Sequence, residues 1–434
     1  MNATAEIELD QRDRALLDGA EGEAMALAMG AVLRAAEISR ATRLQDISFA
    51  HIDACFYNGQ AHVDFARFMV DKGARLAVPT WTNTSLVSQV DTEIRPHKND
   101  PVVVSGARLL MDLYERLGCE PVWTCAPYQL PHGPRLGEHI VGSESNAVTF
   151  YNSVVGARTN KYGDYLDVCA ALVGRVPYSG LHTDEGRRGQ LLFSVRAIPE
   201  ELRREDIFYH VLGHRLGRVA QSRVPVIEGL PADSNEDQLK AISAAAAASG
   251  AVGLFHGVGV TPEAPDLESA FQGREPETRV DVTPADLIEA RDSLSMGGAG
   301  RLEMVAIGTP HFSFTEFARL VPLVDGRRVH DGTLFYVSTS RYVHGLIVKE
   351  GWMDILDRAR VRVIVDTCTY FTPAVRGCRG RVMTNSAKWA YYAPGMLAVE
   401  SVFGSLEECV ESAVRGEVWR DPRLWRNETW GAGH

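Results

Sequence analysis

Three of the seven cysteines in this 434-residue chain stand where a reactive group would. Cys368 lies in VRVIVDTCTYFTP, residues 361–373, where a β-branched run (Val361, Val363, Ile364, Val365) ends and the chain turns polar at Asp366, Thr367 and Thr369. Such a run predicts a buried strand, and the preceding GWMDILDRARV predicts an amphipathic helix. The thiol therefore falls at the carboxyl end of a strand, the edge at which open α/β sheets bind ligands. Cys125, in VWTCAPYQ, occupies the same kind of tip beside Pro127, as Cys368 does beside Pro373. Cys378 follows in VRGCRG, between two arginines that favour a thiolate. Thiolates on separate loops can converge on iron, and an iron–sulfur cluster held by fewer than four cysteines leaves an iron open to substrate. No CxxC is present, so spacing alone leaves ordinary loop thiols as the alternative. Cys55, Cys119, Cys169 and Cys409 sit in apolar or helical contexts and read as packing residues.

Other segments carry anion-binding and acid–base types. ESNAVTFYNSVVGARTNKYGDYLDVCAALVGRVP, residues 144–177, places Ser145, Asn146, Arg158, Thr159, Asn160 and Tyr162 on or beside expected helices. Arg158 with Thr159 and Asn160 suits a carboxylate or phosphate, which guanidinium grips through two parallel hydrogen bonds. The competing reading is a capped helix pair with solvated ends. RVMTNSAKWAYYAPG, residues 381–395, leads from a strand through the N-cap types Thr384, Asn385 and Ser386 to Lys388. A helix N-terminus with a lysine traps anions, and a desolvated lysine can exchange protons; an exposed lysine on a strand-to-helix turn is the plain alternative. His311 in GTPHFS stands at a further tip, Thr82 and Asn83 at another, and His182 in GLHTDEGRR is open to an acid, base or surface role. His210 and His214 are four apart on an expected helix, but Val211 stands where a zinc protease needs glutamate. Gly213 and Gly217 on that helix point instead to close helix packing. No GxGxxG or GxxxxGK[ST] loop marks a strand-to-helix junction, which argues against a dinucleotide or P-loop enzyme.

The elements that position these residues recur as helix, short turn, apolar strand and polar tip, as in VDFARFMVDKGARLAVPTWTN and MDLYERLGCEPVWTCAPYQ. In RLEMVAIGTPHFSFTEFARLV and LFYVSTSRYVHGLIVKEG the strand comes first. This alternation predicts mostly parallel sheets wrapped by helices, with the polar residues gathered at one edge. The length implies two or three domains, divided as 1–190 with Cys125 and the ARTN segment, 191–280, and 281–434 with Cys368 and the MTNSAK segment. TPEAPDLESAFQGREPET, rich in Pro and Glu, reads as an exposed connection, with a seam near 260–285. A net charge of −11 argues against nucleic acid as the main partner. There is no apolar run long enough to cross a membrane, and the polar, acidic start MNATAEIELDQRDR is no targeting signal. Scattered cysteines fit a reducing cytoplasmic setting.

Taken together, LDGAEGEAMALAM, the ESNA…GRVP segment, GTPHFS, VDTC, MTNSAKWAYY and FGSLEECVESAVRGEVW resemble the large, catalytic portion of the aconitase X family, over about residues 8–420. The resemblance implies an aconitase-like, multi-domain, three-layer α/β/α fold lacking the small swivelling domain, which is then expected as a separate small subunit. It implies an iron–sulfur dehydratase acting on a small hydroxy acid. Members of the family convert cis-3-hydroxy-L-proline to pyrroline-2-carboxylate or dehydrate mevalonate 5-phosphate. It matches Cys125 and Cys368 to cluster cysteines, but Thr309 stands where the third is usual. Either Cys378 substitutes, or the cluster is of a smaller type ([2Fe-2S] rather than [3Fe-4S] or [4Fe-4S]), or it is lost, leaving a metal-independent lyase or isomerase. In the dehydratase reading Asn83, Ser145, Asn146, Arg158, Thr159, Asn160, Thr384 and Asn385 bind substrate, and Lys388, His182, His311 or Ser386 moves the proton.

Overall fold

The apolar runs Phe49–Ile52, Leu191–Ser194 and Leu302–Phe312 form strands buried almost throughout, as the interior of a parallel sheet requires. The computed structural model describes residues 7–371, 378 and 380–431. Among these residues, three separate all-parallel sheets follow one another in the sequence. The first is three-stranded, in the order Thr80–Thr82, Phe49–Ile52, Ile140–Gly142. The second is four-stranded, in the order His256–Gly257, Pro225–Glu228, Leu191–Ser194, Thr278–Asp281. The third is five-stranded, in the order Arg362–Val365, Leu334–Thr339, Leu302–Phe312, Arg381–Thr384, Glu400–Phe403. Helices cover these sheets, so the architecture is the layered α/β fold expected. A short antiparallel pair, Leu44–Asp46 with Arg175–Pro177, closes the first unit, where Arg175 binds Asp13 at 3.0 Å.

Two local expectations change. The Pro- and Glu-rich stretch is not merely an exposed connection. It supplies the helix Leu267–Phe271 and the strand Thr278–Asp281, which pairs with Leu191–Ser194. The seam near 260–285 therefore falls inside the second sheet. Its core extends on through Val282, Leu287 and Ala290, and also takes in Ala387, Phe403 and Trp430 from the chain's last third. The second correction concerns ARTN: the helix Ser145–Phe150 runs into a single π-turn, Tyr151–Val155, and ends at Gly156 with φ 76°. Arg158–Asn160 thus follow in non-helical backbone, because the Asn152 side chain captures the Thr159 N–H at 3.0 Å and donates to the Thr159 carbonyl at 2.8 Å.

The glycine reading of the second unit has a direct physical form. A Cβ on Gly213 would come within 2.8 Å of the backbone of Ile242, and one on Gly217 within 2.6 Å of the Ala246 carbonyl. The helices Asp206–Ala220 and Glu236–Gly250 therefore touch backbone to backbone. His214 is buried there and His210 half-buried, and both are held neutral, with pKa values lowered to about 4 and about 3, chiefly by desolvation.

Candidate active site

The carboxyl ends of the first and third sheets face each other across a cavity of about 210 Å³. Asp53, Asn83 and Glu144 come from the tips of the first sheet, and Thr309, Cys368 and Lys388 from those of the third. The tips are tied together directly. Ser85 N–H donates to the Asp366 carbonyl at 2.8 Å, and Asp366, at φ 71° in the left-handed region, accepts from Gln89 N–H at 2.9 Å and from the Arg341 guanidinium at 2.6 Å. This fixes the turn that presents Cys368, while Trp389 Nε1 holds Thr369 Oγ1 at 3.0 Å. The Cys125 loop is held as firmly: Asn146 Nδ2 donates to the Cys125 carbonyl at 3.1 Å and His51 Nε2 to the Thr124 carbonyl at 2.9 Å.

At the cavity floor the sulfurs of Cys125 and Cys368 lie 3.8 Å apart, and a ring nitrogen of His311 lies within 4.8 Å of both. All three residues are buried. A disulfide would need about 2.05 Å, so these are free thiols. Two thiolates bound to one tetrahedral metal at about 2.3 Å stand about 3.8 Å from each other, which is the spacing seen. Soft sulfur with imidazole is a donor set for transition metals and iron–sulfur centres. Burial lowers the pKa of His311 to about 4, so the ring is neutral and able to donate a lone pair. His311 Nε2–H faces the Thr367 carbonyl at 3.2 Å, which leaves the Nδ1 lone pair, 2.9 Å from Thr124 Oγ1, as the one a metal would take. Among the described residues, unpartnered buried oxygens gather around this floor, at Asn83, Thr84, Thr309 and Thr367. Unsatisfied buried groups cost free energy unless a ligand or ion completes them. The residues therefore fit a metal ion or an iron–sulfur centre.

Above the floor, Lys388 is ion-paired to Glu144, with side chains 3 % and 8 % exposed. Ser386 caps the helix Ala387–Leu397, accepting from Trp389 N–H at 3.1 Å, and donates to the Thr309 carbonyl. Glu144 caps the helix Ser145–Phe150 through Ala147 N–H at 2.7 Å. Burial pushes Glu144 up, but the Lys388 charge and hydrogen bond together with the Ala147 and Asn146 N–H groups outweigh it and leave the carboxyl below its ordinary value. Burial likewise depresses Lys388, and Glu144 more than reverses it, so Lys388 stays an ammonium. Burial raises Asp53 to about 6, against a hydrogen bond from Asn83. Phe56, Phe371, Tyr370 and Tyr392 form the apolar wall.

Of the sequence-predicted residues, Cys125, Cys368, His311, Lys388, Asn83 and Ser145 converge here, and Ser386 supports them. Several do not. Cys378 is outside the group: it packs, partly buried, against the apolar cluster that contains Met304 and Trp389, and burial with the charge of Glu303 raises its thiol to about 11, opposite to the thiolate expected. Its flanking arginines, 376 and 379, lie outside the described residues. Arg158 faces a different cavity, paired with Asp184 at 2.6 Å and Glu263 at 3.7 Å, so its charge is already met by acids. His182 is locked between His139 at 2.9 Å and Tyr162 at 2.6 Å, and burial lowers its pKa to about 3. Asn146 Nδ2 is shared between the Cys125 carbonyl and the Tyr128 hydroxyl while its Oδ1 stays buried without a partner, Thr159 and Asn160 spend their side chains on backbone groups, and Thr384 Oγ1 accepts from Ser386 N–H at 3.1 Å; none of the four lines the cavity. Asn385 is half-buried and does not line the cavity.

Asp53, Glu144 and Lys161 line the cavity and escape sequence reasoning. Each is a lone charged residue; the available signal was position, since Asp53 directly follows the buried strand Phe49–Ile52 and Glu144 follows Ile140–Gly142 by two residues.

Comparison with known proteins agrees with this geometry. Family models for the first, second and third domains of aconitase X match residues 6–185, 189–292 and 302–415. The chain is 43 % identical over 423 residues to a cis-3-hydroxy-L-proline dehydratase of Pseudomonas aeruginosa, covering 97 % of this chain and 72 % of that protein. It is 40 % identical to the enzyme of the same name from Hypocrea jecorina, covering 94 % and 69 %. A phosphomevalonate dehydratase large subunit of Methanosarcina mazei is 31 % identical, with 94 % of this chain and 98 % of that one covered. The crystal structure of Thermococcus kodakaraensis aconitase X in its holo-form superposes with a TM-score of 0.82 at 28 % identity, covering 94 % of this chain and all of that one.

Proposed function

The chain belongs to the aconitase X family, and from that premise we propose that it is the catalytic component of an iron–sulfur hydro-lyase that removes water from cis-3-hydroxy-L-proline. The observation that carries the reading is the buried Cys125–His311–Cys368 group opening into a cavity whose lining charges balance: Asp53 and Glu144 against Lys161 and Lys388. A cleft of two acids and two cations suits a zwitterion better than a phosphate dianion, and the higher identity to the hydroxyproline enzymes points the same way.

In this reading Cys125, Cys368 and His311 would hold the cluster. When bound, it supplies a Lewis acid for the departing hydroxide, which is a poor leaving group unaided. The chain's own residues do the rest. Lys388, kept protonated by Glu144, meets the substrate carboxylate and stabilises the enolate charge that grows there as the proton on the adjacent carbon leaves. The ionised Glu144 oxygen is a positioned acceptor for that proton. The aromatic wall at Phe56 and Phe371, whose ring centres are 4.6 Å apart, packs the pyrrolidine ring and keeps water off the enolate.

The 31 % identity to a protein named as a large subunit supports a small partner subunit completing the site. The same relative favours a second reading, dehydration of mevalonate 5-phosphate. Anaerobic co-expression with a candidate small subunit, followed by assay of both substrates, separates the two. The proposal expects turnover of cis-3-hydroxy-L-proline and little of mevalonate 5-phosphate; the reverse preference overturns it.

A further inference from the structure

We infer that Asp53, together with the amide oxygen of Asn83, receives the protonated amine of a cyclic amino-acid substrate and so decides between amino-acid and non-amino hydroxy acids. The inference rests on the dehydratase reading above and adds the part of the substrate that Lys388 and the metal ligands leave unrecognised.

The turn carrying Asp53 is built rather than incidental. Its N–H and that of Ala54 both donate to one oxygen of Asp167, at 2.7 and 3.1 Å, and Ser143 Oγ donates to the same oxygen at 3.0 Å. Asp167 is itself fully buried, so three donors are spent holding this loop at the cavity edge. The Asp53 side chain then accepts from Asn83 Nδ2 at 2.6 Å through Oδ1. That bond sets the orientation of the amide and leaves Asn83 Oδ1 buried with no donor, on a side chain only 4 % exposed that lines the same cavity.

Among the described residues no lysine or arginine pairs with Asp53; the ammonium of Lys388 is committed to Glu144. The first-sheet side of the cavity thus presents a carboxylate that Lys388 acts on only through space, with no ion-pair contact, and beside it an amide oxygen without a donor. A secondary ammonium such as that of hydroxyproline carries two N–H donors and one positive charge, which meets both deficits. A phosphorylated hydroxy acid has no N–H to offer and brings negative charge toward Asp53, so the same pair selects against it. Removing one member of a desolvated charged pair lowers affinity by about 30-fold or more.

The test compares L-proline with (S)-tetrahydrofuran-2-carboxylate, in which the ring nitrogen is replaced by oxygen, as ligands of the assembled, cluster-loaded enzyme, with dissociation constants read directly by titration calorimetry. The wild-type enzyme is expected to prefer proline, and Asp53→Asn to cut that preference by about 30-fold while binding of the oxygen analogue changes little. Asn83→Leu is expected to reduce the preference in the same direction, and serves where Asp53→Asn does not fold. A preference for proline that survives in both variants overturns the inference. If wild type dehydrates cis-3-hydroxy-L-proline while the preference survives substitution, only this inference fails. If wild type does not dehydrate it yet the preference is lost in Asp53→Asn, the inference stands and the substrate reading fails.

Discussion

Lys388→Met isolates the cost of a bare carboxylate between the first and third sheets. Glu144 and Lys388 come from different thirds of the chain, and their side chains are 8 % and 3 % exposed. The value of about 0–1 kcal/mol for exposed ion pairs therefore does not apply. Removing one member of a buried pair costs about 3–5 kcal/mol, whereas replacing both is often nearly neutral. Glu144→Gln keeps an oxygen for Ala147 N–H, so the helix cap survives and the substitution removes charge alone. We expect each single variant to lose about 3–5 kcal/mol in urea unfolding at pH 7, and the double variant to recover most of it. The pH dependence has a defined sign. Glu144 is held below its ordinary value and Lys388 above, so the pair's stabilisation is present above the unfolded carboxyl value of about 4.3 and below the unfolded lysine value of about 10.4. It is lost as acid titrates Glu144 through its lowered folded value, so the gap between wild type and Lys388→Met narrows at acid pH. Single losses under about 1 kcal/mol that simply add in the double variant would refute the reasoning.

Arg158→Ala should leave kcat/KM with cis-3-hydroxy-L-proline nearly unchanged, because Asp184 and Glu263 already neutralise that guanidinium in another cavity; steady-state kinetics checks it, and a loss of 100-fold or so would return Arg158 to the site. Apparent substrate affinity should weaken as pH falls through about 6, where Asp53 takes up a proton, and that limb should vanish in Asp53→Asn while activity persists at high substrate concentration.

The alternation of helix and apolar strand made the parallel sheets legible, because a strand buried on both faces leaves an almost unbroken apolar run, as at Met304–Ile307; the run ending at Val365 is an edge strand, exposed at Arg362. The same logic located Cys125, Cys368, Asn83 and Lys388, each just past such a run or at the N-terminus of the helix that follows. Arg158 was misread because its neutralising partners, Asp184 and Glu263, are distant in the chain, and spacing carries no information on them. His311 was read as a proton carrier; its place beside two sulfurs depends on the packing of the first sheet against the third. Asp53 and Glu144 were missed because a single acid after a strand also describes many solvated turns, and only burial separates the two cases. The strand Thr278–Asp281 was hidden by its exposed, charged residues, as befits the edge of the second sheet.

The central claim is that Cys125, His311 and Cys368, and not Cys378, hold the metal centre. Iron and acid-labile sulfide, measured with visible absorption on anaerobically purified protein, test it most directly across Cys125→Ser, Cys368→Ser and Cys378→Ser. The account predicts that the first two lose iron and colour, while Cys378→Ser retains both at the wild-type level. Full iron in Cys125→Ser and Cys368→Ser, or its loss in Cys378→Ser alone, would contradict it.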